Sequence, residues 1–182
     1  MSGKTDFLIG AVLLISLVAV VTDLIRGRIF NWLTFPSLLG GLVFSLFYGG
    51  WSGLGDSILG ATGGLLLYGW MFWLGVLGGG DVKFLMALGA WGGSRYVAEV
   101  ALLGVILGGV MALGHILIKG KILDFSKRMY HFLLTVFIKE LELEAPKVDR
   151  KLTMPFGIPI AIAAAWVVLA PPFERWGIRL WH

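Results

Sequence analysis

The chain contains no cysteine. That excludes disulfide staples, thiol catalysis and cysteine-based metal sites, and it leaves the redox compartment open. Charge is scarce as well: only 14% of residues are Asp, Glu, Lys or Arg, against about a quarter in ordinary soluble domains. Histidine occurs at His115, His131 and His182, with no spacing that suits zinc, and these are read as loop or interface side chains. The one glycine run lacks the Gly-Lys-Ser/Thr of a phosphate loop. No cofactor and no metal are expected.

What is present is apolar. Hydrophobic residues make up 58% of the chain, and the 27 glycines are about twice the usual share. Membrane helices use such small residues to approach one another closely. The net charge of +4 would hint at nucleic acid in a soluble protein. Here the cations gather in a few loops, so topology and anionic lipid account for them, and no nucleic-acid partner is expected.

Six apolar segments punctuate the sequence: 7–22, 32–48, 58–77, 82–91, 96–118 and 156–170. A cleaved signal peptide is the alternative for the first, but Asp6 weakens the basic start and no A-x-A site follows. The fourth is short for a crossing, which takes roughly 20 residues, unless its glycine flank lies inside the fold or lines a wet cavity. The expectation is an all-α, polytopic membrane protein with about six transmembrane helices and a single domain over residues 1–182. Residues 119–151 form its extended polar loop, basic in character, with an apolar stretch at 130–138 that suits an interfacial helix or a short re-entrant segment.

With six crossings, the turn holding Arg26 and Arg28, the turn holding Asp81 and Lys83, and the 119–151 loop share one side. They carry 11 of the 15 lysines and arginines. The positive-inside rule puts them in the cytoplasm and both termini outside the cytoplasmic membrane. Trp32, Trp51, Trp91, Trp176 and Trp181 fall near segment ends, as interfacial anchors do.

The acids separate into two groups. Asp6, Asp56, Glu99 and most others are read as lying in loops or near the ends. Asp23 closes the first segment, and Asp81 opens the fourth after Gly78, Gly79 and Gly80. Ionisable groups at the edge of lipid are costly and usually functional. On the same side of the membrane these two can meet, although they lie 58 positions apart in the sequence. Two close carboxylates cannot both ionise cheaply, so one keeps its proton while the other acts as a base. That pair hydrolyses an amide with water. The glycines would let a backbone or a substrate strand approach. The structural alternatives are that Asp23 pairs with Arg26 or Arg28 and that Asp81 caps its helix. Asn31 and Thr34 are candidate caps for the second segment, with substrate contact as an equal alternative.

"DLIRGRIFNWLT" (Asp23–Thr34) resembles the D-x-R-x-x-x-I-P-N-x-L-T region of type IV prepilin peptidases. "GGGDVKFLMALGAWGG" resembles their G-x-G-D signature with its following lysine, and "MPFGIPIAIA" (Met154–Ala163) their P-[FY]-G element. The three lie in family order across nearly the whole chain. The resemblance implies a G-x-G-D aspartyl membrane protease, distantly similar to presenilin, with Asp23 and Asp81 as the catalytic pair. Gly78 and Gly80 are then the motif glycines; Gly79, Lys83, Pro155, Phe156 and Gly157 shape the site or meet substrate. The implied substrates are prepilins or pseudopilins: a short basic leader, a glycine before the cut, and an apolar helix after it. Lys83 is also a candidate to meet a lipid headgroup or a nearby acid, with surface solvation as an equal alternative. Phe30 stands where the family has proline, and the arginine falls at Arg26 rather than two residues after the aspartate. Many relatives carry a cysteine-bearing N-terminal region and N-methylate the new terminus. This chain resembles the short peptidase-only form, of the tight-adherence or archaeal kind, so no methyltransferase activity is expected. The rival readings are a small transporter or proton-coupled channel, which also needs buried acids, and a structural assembly protein.

Overall fold

A computed structural model describes residues 2–118 and 156–170. Residues 2–108 and 156–170 belong to one compact unit, and residues 109–118 belong to a second. Pro155, the 119–151 loop with its 130–138 stretch, His131 and His182 lie outside the described residues.

The described residues are helical, with short connections. The first helix, α1, spans Ser2–Arg26. It stops where Gly27 takes φ +62° and donates its N–H to the Asp23 carbonyl at 2.7 Å. This is the left-handed glycine stop that satisfies a terminal carbonyl. The turn at 27–30 then feeds α2, Asn31–Trp73, through an extended Phe30. Neither Asn31 nor Thr34 caps it: the N-cap position is Phe30, with no side-chain capping bond.

The second helix holds 43 residues. Straight, it would be about 65 Å long, roughly twice the hydrocarbon thickness of a bilayer. It breaks at Gly50 (φ 60°, ψ −152°), so it is two arms, 31–49 and 51–73. The third helix, α3, Gly79–Ile118, breaks in the same way at Gly93 (φ 82°, ψ −175°) into arms 79–92 and 94–118. Both breaks use a backbone conformation open in practice only to glycine. The fourth helix, α4, is Gly157–Leu169. Its Pro159 sits in the first turn, where no intrahelical N–H is needed. With α1 and α4, the four arms make six helical stretches among the described residues. They match the six apolar segments, except that helix runs on through 51–57, stops at Trp73 short of the expected 77, and begins again at 79.

The glycine spacing explains the packing. A Cβ on Gly64 would lie 2.9 Å from the Leu85 carbonyl carbon and the Met86 nitrogen, and one on Gly41 2.7 Å from the Ala90 carbonyl carbon. Gly60 meets the backbone of Gly89 and Gly93. The two long helices therefore touch backbone to backbone, as small residues in membrane helices allow. The break at Gly93 frees the Ala90 carbonyl from its ordinary partner. Ser57 Oγ donates to it at 2.5 Å and Ser45 Oγ at 3.4 Å.

Within this compact unit, the short first arm of α3 lies at the core. Phe84, Leu85, Ala87, Leu88 and Ala90 are fully buried, alongside Val12 and Ala19 of α1, Val100 of the second α3 arm, and Ile160 and Ala164 of α4. Helix α4 packs on α1, and Tyr96 Oη donates to the Ala164 carbonyl at 2.9 Å. Large apolar side chains cover the outside, Trp73, Trp51, Phe47 and Leu66 among them. Three of the helices, α1, α2 and α3, are long and apolar enough to cross a membrane. An apolar exterior on such helices is that of a protein solvated by lipid.

Asp56 and Glu99 correct the reading that placed them in loops or near the ends. Asp56 lies inside α2, and Glu99 is buried inside α3, where it pairs with Arg95 Nε at 3.1 Å.

Candidate active site

Asp23 occupies the last turn of α1, with its backbone carbonyl fixed by the Gly27 stop. Its side chain is buried. The carboxylate forms no ion pair with Arg26 or Arg28; Oδ2 accepts the backbone N–H of Gly157 at 3.0 Å. Arg28 instead lies over the Phe30 ring, 4.8 Å from its centroid. The donor on Asp23 is a first-turn N–H of α4, a helix with no side-chain N-cap. Such free N–H groups and the positive end of the helix dipole both favour a carboxylate.

Asp81 sits in the first turn of α3 rather than in the preceding loop, and it is buried. Its Oδ2 accepts the N–H of Gly78, three residues earlier, at 3.2 Å. An acid reaching back from the third helical position to the residue before the helix is one half of a capping box. The capping role is thus realised, and it does not exhaust the carboxylate, which has two oxygens and about four lone-pair sites.

The three sequence elements converge on Ile29. A Cβ on Gly80 would stand 3.0 Å from the Ile29 carbonyl oxygen and 3.2 Å from its Cβ. One on Gly157 would stand 3.0 Å from Ile29 Cδ1 and 2.7 Å from Asp23 Oδ2. Only glycine lets the start of α3 and the start of α4 close on the same side chain. The two carboxylates thereby come within electrostatic reach of each other. Gly79 lies against the Phe72 ring, where a Cβ would be 3.4 Å from Cε2. Gly75, in the preceding turn, has φ +76°.

Lys83 pairs with neither acid. Its Nζ donates to Asn31 Oδ1 at 2.9 Å and lies 5.6 Å from the Phe35 ring centroid, linking the first turns of α2 and α3. Phe156, half-buried, has its ring edge-on to Tyr68 with centroids 6.3 Å apart. Among the described residues no group of three His, Asp or Glu side chains is assembled in a way that could hold a metal.

Of the predicted residues, the structure thus joins Asp23 to Gly157 and Asp81 to Gly78, closes Gly80 and Gly157 on Ile29, and places Gly79 on Phe72, Lys83 on Asn31 and Phe156 on Tyr68. Sequence reasoning missed Ile29 and Tyr68. Ile29 and Phe30 form an apolar pair between Arg28 and Asn31, and that contrast was its signal. Tyr68 carried none, being one aromatic in an apolar run.

Comparison with known proteins covers the part of the site that α1 and the start of α3 supply. The model of the type IV leader peptidase family matches residues 10–113, a stretch that contains both aspartates. Over 104 residues the chain is 39% identical to a prepilin leader peptidase/N-methyltransferase of Aeromonas hydrophila, covering 53% of this chain and 36% of that protein. It is 38% identical over 104 residues to the same-named protein of Aeromonas salmonicida strain A449, covering 53% of this chain and 35% of that protein. A third, from Burkholderia pseudomallei strain 1026b, is 34% identical over 98 residues, covering 50% of this chain and 31% of that protein. The chain thus spans about a third of the length of these relatives. No solved structure matches it.

Proposed function

Because the chain belongs to the type IV leader peptidase family, we propose that it is a membrane aspartyl endopeptidase that removes the leader of a type IV prepilin or pseudopilin. The observation that supports the reading is that Asp23 and Asp81 lie within electrostatic reach of each other. Both are buried, each accepts a glycine N–H, and the neighbouring glycines, Gly80 and Gly157, both close on Ile29.

In this mechanism the two carboxylates share one proton. The ionised member takes a proton from water as the water oxygen bonds to the scissile carbonyl carbon. The protonated member donates a hydrogen bond to the carbonyl oxygen. On collapse the C–N bond breaks, the leaving amine takes a proton, and the dyad returns to one proton between two acids. A pair that shares a proton titrates as a unit, so activity should rise and fall with pH in a bell. The chain's own residues supply the steps: Asp23 and Asp81 move protons, Gly157 and Gly78 orient them, and the glycines before Asp81 leave room for an extended substrate.

The six helical stretches are taken as six crossings. The turn at 27–30 and the start of α3 would then face the cytoplasm, both termini the other side, and residues 119–151 would be a basic cytoplasmic loop of the same domain. A prepilin leader is short and basic and precedes an apolar helix, which suits a site at the inner boundary of the lipid. No methyl transfer is proposed for this cysteine-free chain. In cells, Asp23→Asn and Asp81→Asn should each leave prepilin uncut while the variant protein stays in the membrane at normal levels. Normal cleavage with lost ion or solute flux would favour a transporter instead, and normal behaviour of both variants a structural role.

A further inference from the structure

Gly104 and Gly108 are one turn apart on the second arm of α3, in a spacing that ordinarily signals helix–helix contact. Here each glycine admits an aromatic side chain. A Cβ on Gly104 would be 2.5 Å from Tyr68 Oη, and one on Gly108 would fall on the Phe156 ring edge, at Cε2 and Cζ. Tyr68 is pinned: it is buried, and its hydroxyl donates to the Ala101 carbonyl at 3.1 Å. The Phe156 ring stands edge-on to it, with planes 73° apart. The next residue is Gly157, whose N–H is the donor on Asp23.

We propose that Gly108 is a positioning residue of the active site: its missing side chain seats the Phe156 ring, and the seated ring holds the Gly157 N–H on the Asp23 carboxylate. The ring and that N–H are separated by a single peptide unit. A methyl group at 108 must either swing the ring off Tyr68 or push the start of α4. In the second case the glycine that contacts both Asp23 and Ile29 moves with it. Displacements near 1 Å in a catalytic constellation cost on the order of 100-fold in rate. The group displaced is the donor on a carboxylate that moves protons, so the loss should fall on turnover. The inference rests on the aspartyl reading of Asp23.

The test uses the purified full-length protein in detergent micelles, cleaving a synthetic peptide that carries a basic leader, a glycine and an apolar segment. Gly108→Ala should lower kcat by about tenfold or more with KM within about twofold of the wild type. Gly109→Ala is the matched control, because a Cβ there meets nothing within 4 Å among the described residues, and it should leave both constants unchanged. Phe156→Leu alone should lower kcat several-fold, as the seat is left half empty. The double variant Gly108→Ala/Phe156→Leu should cleave faster than Gly108→Ala, because the smaller side chain makes room for the methyl. Two merely destabilising changes would compound instead. Wild-type kcat in Gly108→Ala, or a double variant no better than Gly108→Ala, overturns the proposal. Should Gly108→Ala not fold, the double variant must fold and cleave at least as fast as Phe156→Leu; failure to do so overturns it equally. Wild-type cleavage by Asp23→Asn would instead remove the aspartyl reading itself, whatever Gly108→Ala does.

Discussion

The two ends of α3's first arm use the same device to different ends. At its start, Asp81 caps the helix through the Gly78 N–H. Where the arm ends, at Gly93, Asp56 reaches over from α2 and caps the next arm: its Oδ1 accepts both the N–H and the hydroxyl of Ser94, at 3.1 and 2.6 Å. Glycine adjoins both acids, and at Gly93 a Cβ would strike the Asp56 carboxylate itself. The difference lies in solvent and in company. Asp56 is exposed and stands on a helix break. Asp81 is buried, keeps spare acceptor capacity and lies within reach of a second buried carboxylate. A capping acid is structural where water shares its charge, and becomes chemically useful where another acid does.

The sharpest way to break that comparison is to lengthen each acid by one methylene. Asp81→Glu should reduce cleavage by on the order of 100-fold, since it shifts the carboxyl group by about 1 Å or more. Asp56→Glu should leave the cleavage rate near the wild type. Packing comes next. Gly64→Val places a side chain against the Leu85 and Met86 backbone, which cannot yield as a side-chain tip can. It should destabilise the fold by about 1–3 kcal/mol, read as a lower midpoint of thermal unfolding in detergent. Asp56→Ala removes a cap and should cost about 1 kcal/mol of stability by the same assay, with kcat unchanged. The smallest effect belongs to Lys83→Met. Its hydrogen bond to Asn31 is exposed, so a loss of only a few-fold in cleavage is expected. A loss as large as that of Asp81→Glu would mean that Lys83 belongs with the acids after all.

Much of the candidate site was legible because ionisable residues at the edge of lipid are rare and conspicuous. Asp23 and Asp81 stood out on that ground alone. The helical stretches were legible from the apolar runs, but their joints were not. "GGWSGLGDS" (Gly49–Ser57) reads as a loop, since Gly, Ser and Asp are turn formers. In the fold a single residue, Gly50, breaks the helix. Ser57 then donates to the Ala90 carbonyl and Asp56 holds the Gly93 break. Local propensity cannot tell a turn former from a small residue required by close helix contact. The same ambiguity hid Gly108, which looked like half of a helix-packing pair and instead meets the Phe156 ring. The reading of Asn31 and Thr34 as caps failed for a related reason: an extended Phe30 starts the helix, and the Asn31 amide is engaged by Lys83.

The most direct measurement places three Asp→Asn exchanges side by side in purified full-length protein: positions 23, 81 and 56, with prepilin cleavage as the readout and thermal unfolding as the check on folding. The account predicts that the first two fall by on the order of 100- to 10,000-fold while remaining folded, and that the third cleaves at close to the wild-type rate. Retained cleavage in Asp23→Asn or Asp81→Asn, or a loss in folded Asp56→Asn as deep as theirs, would contradict it.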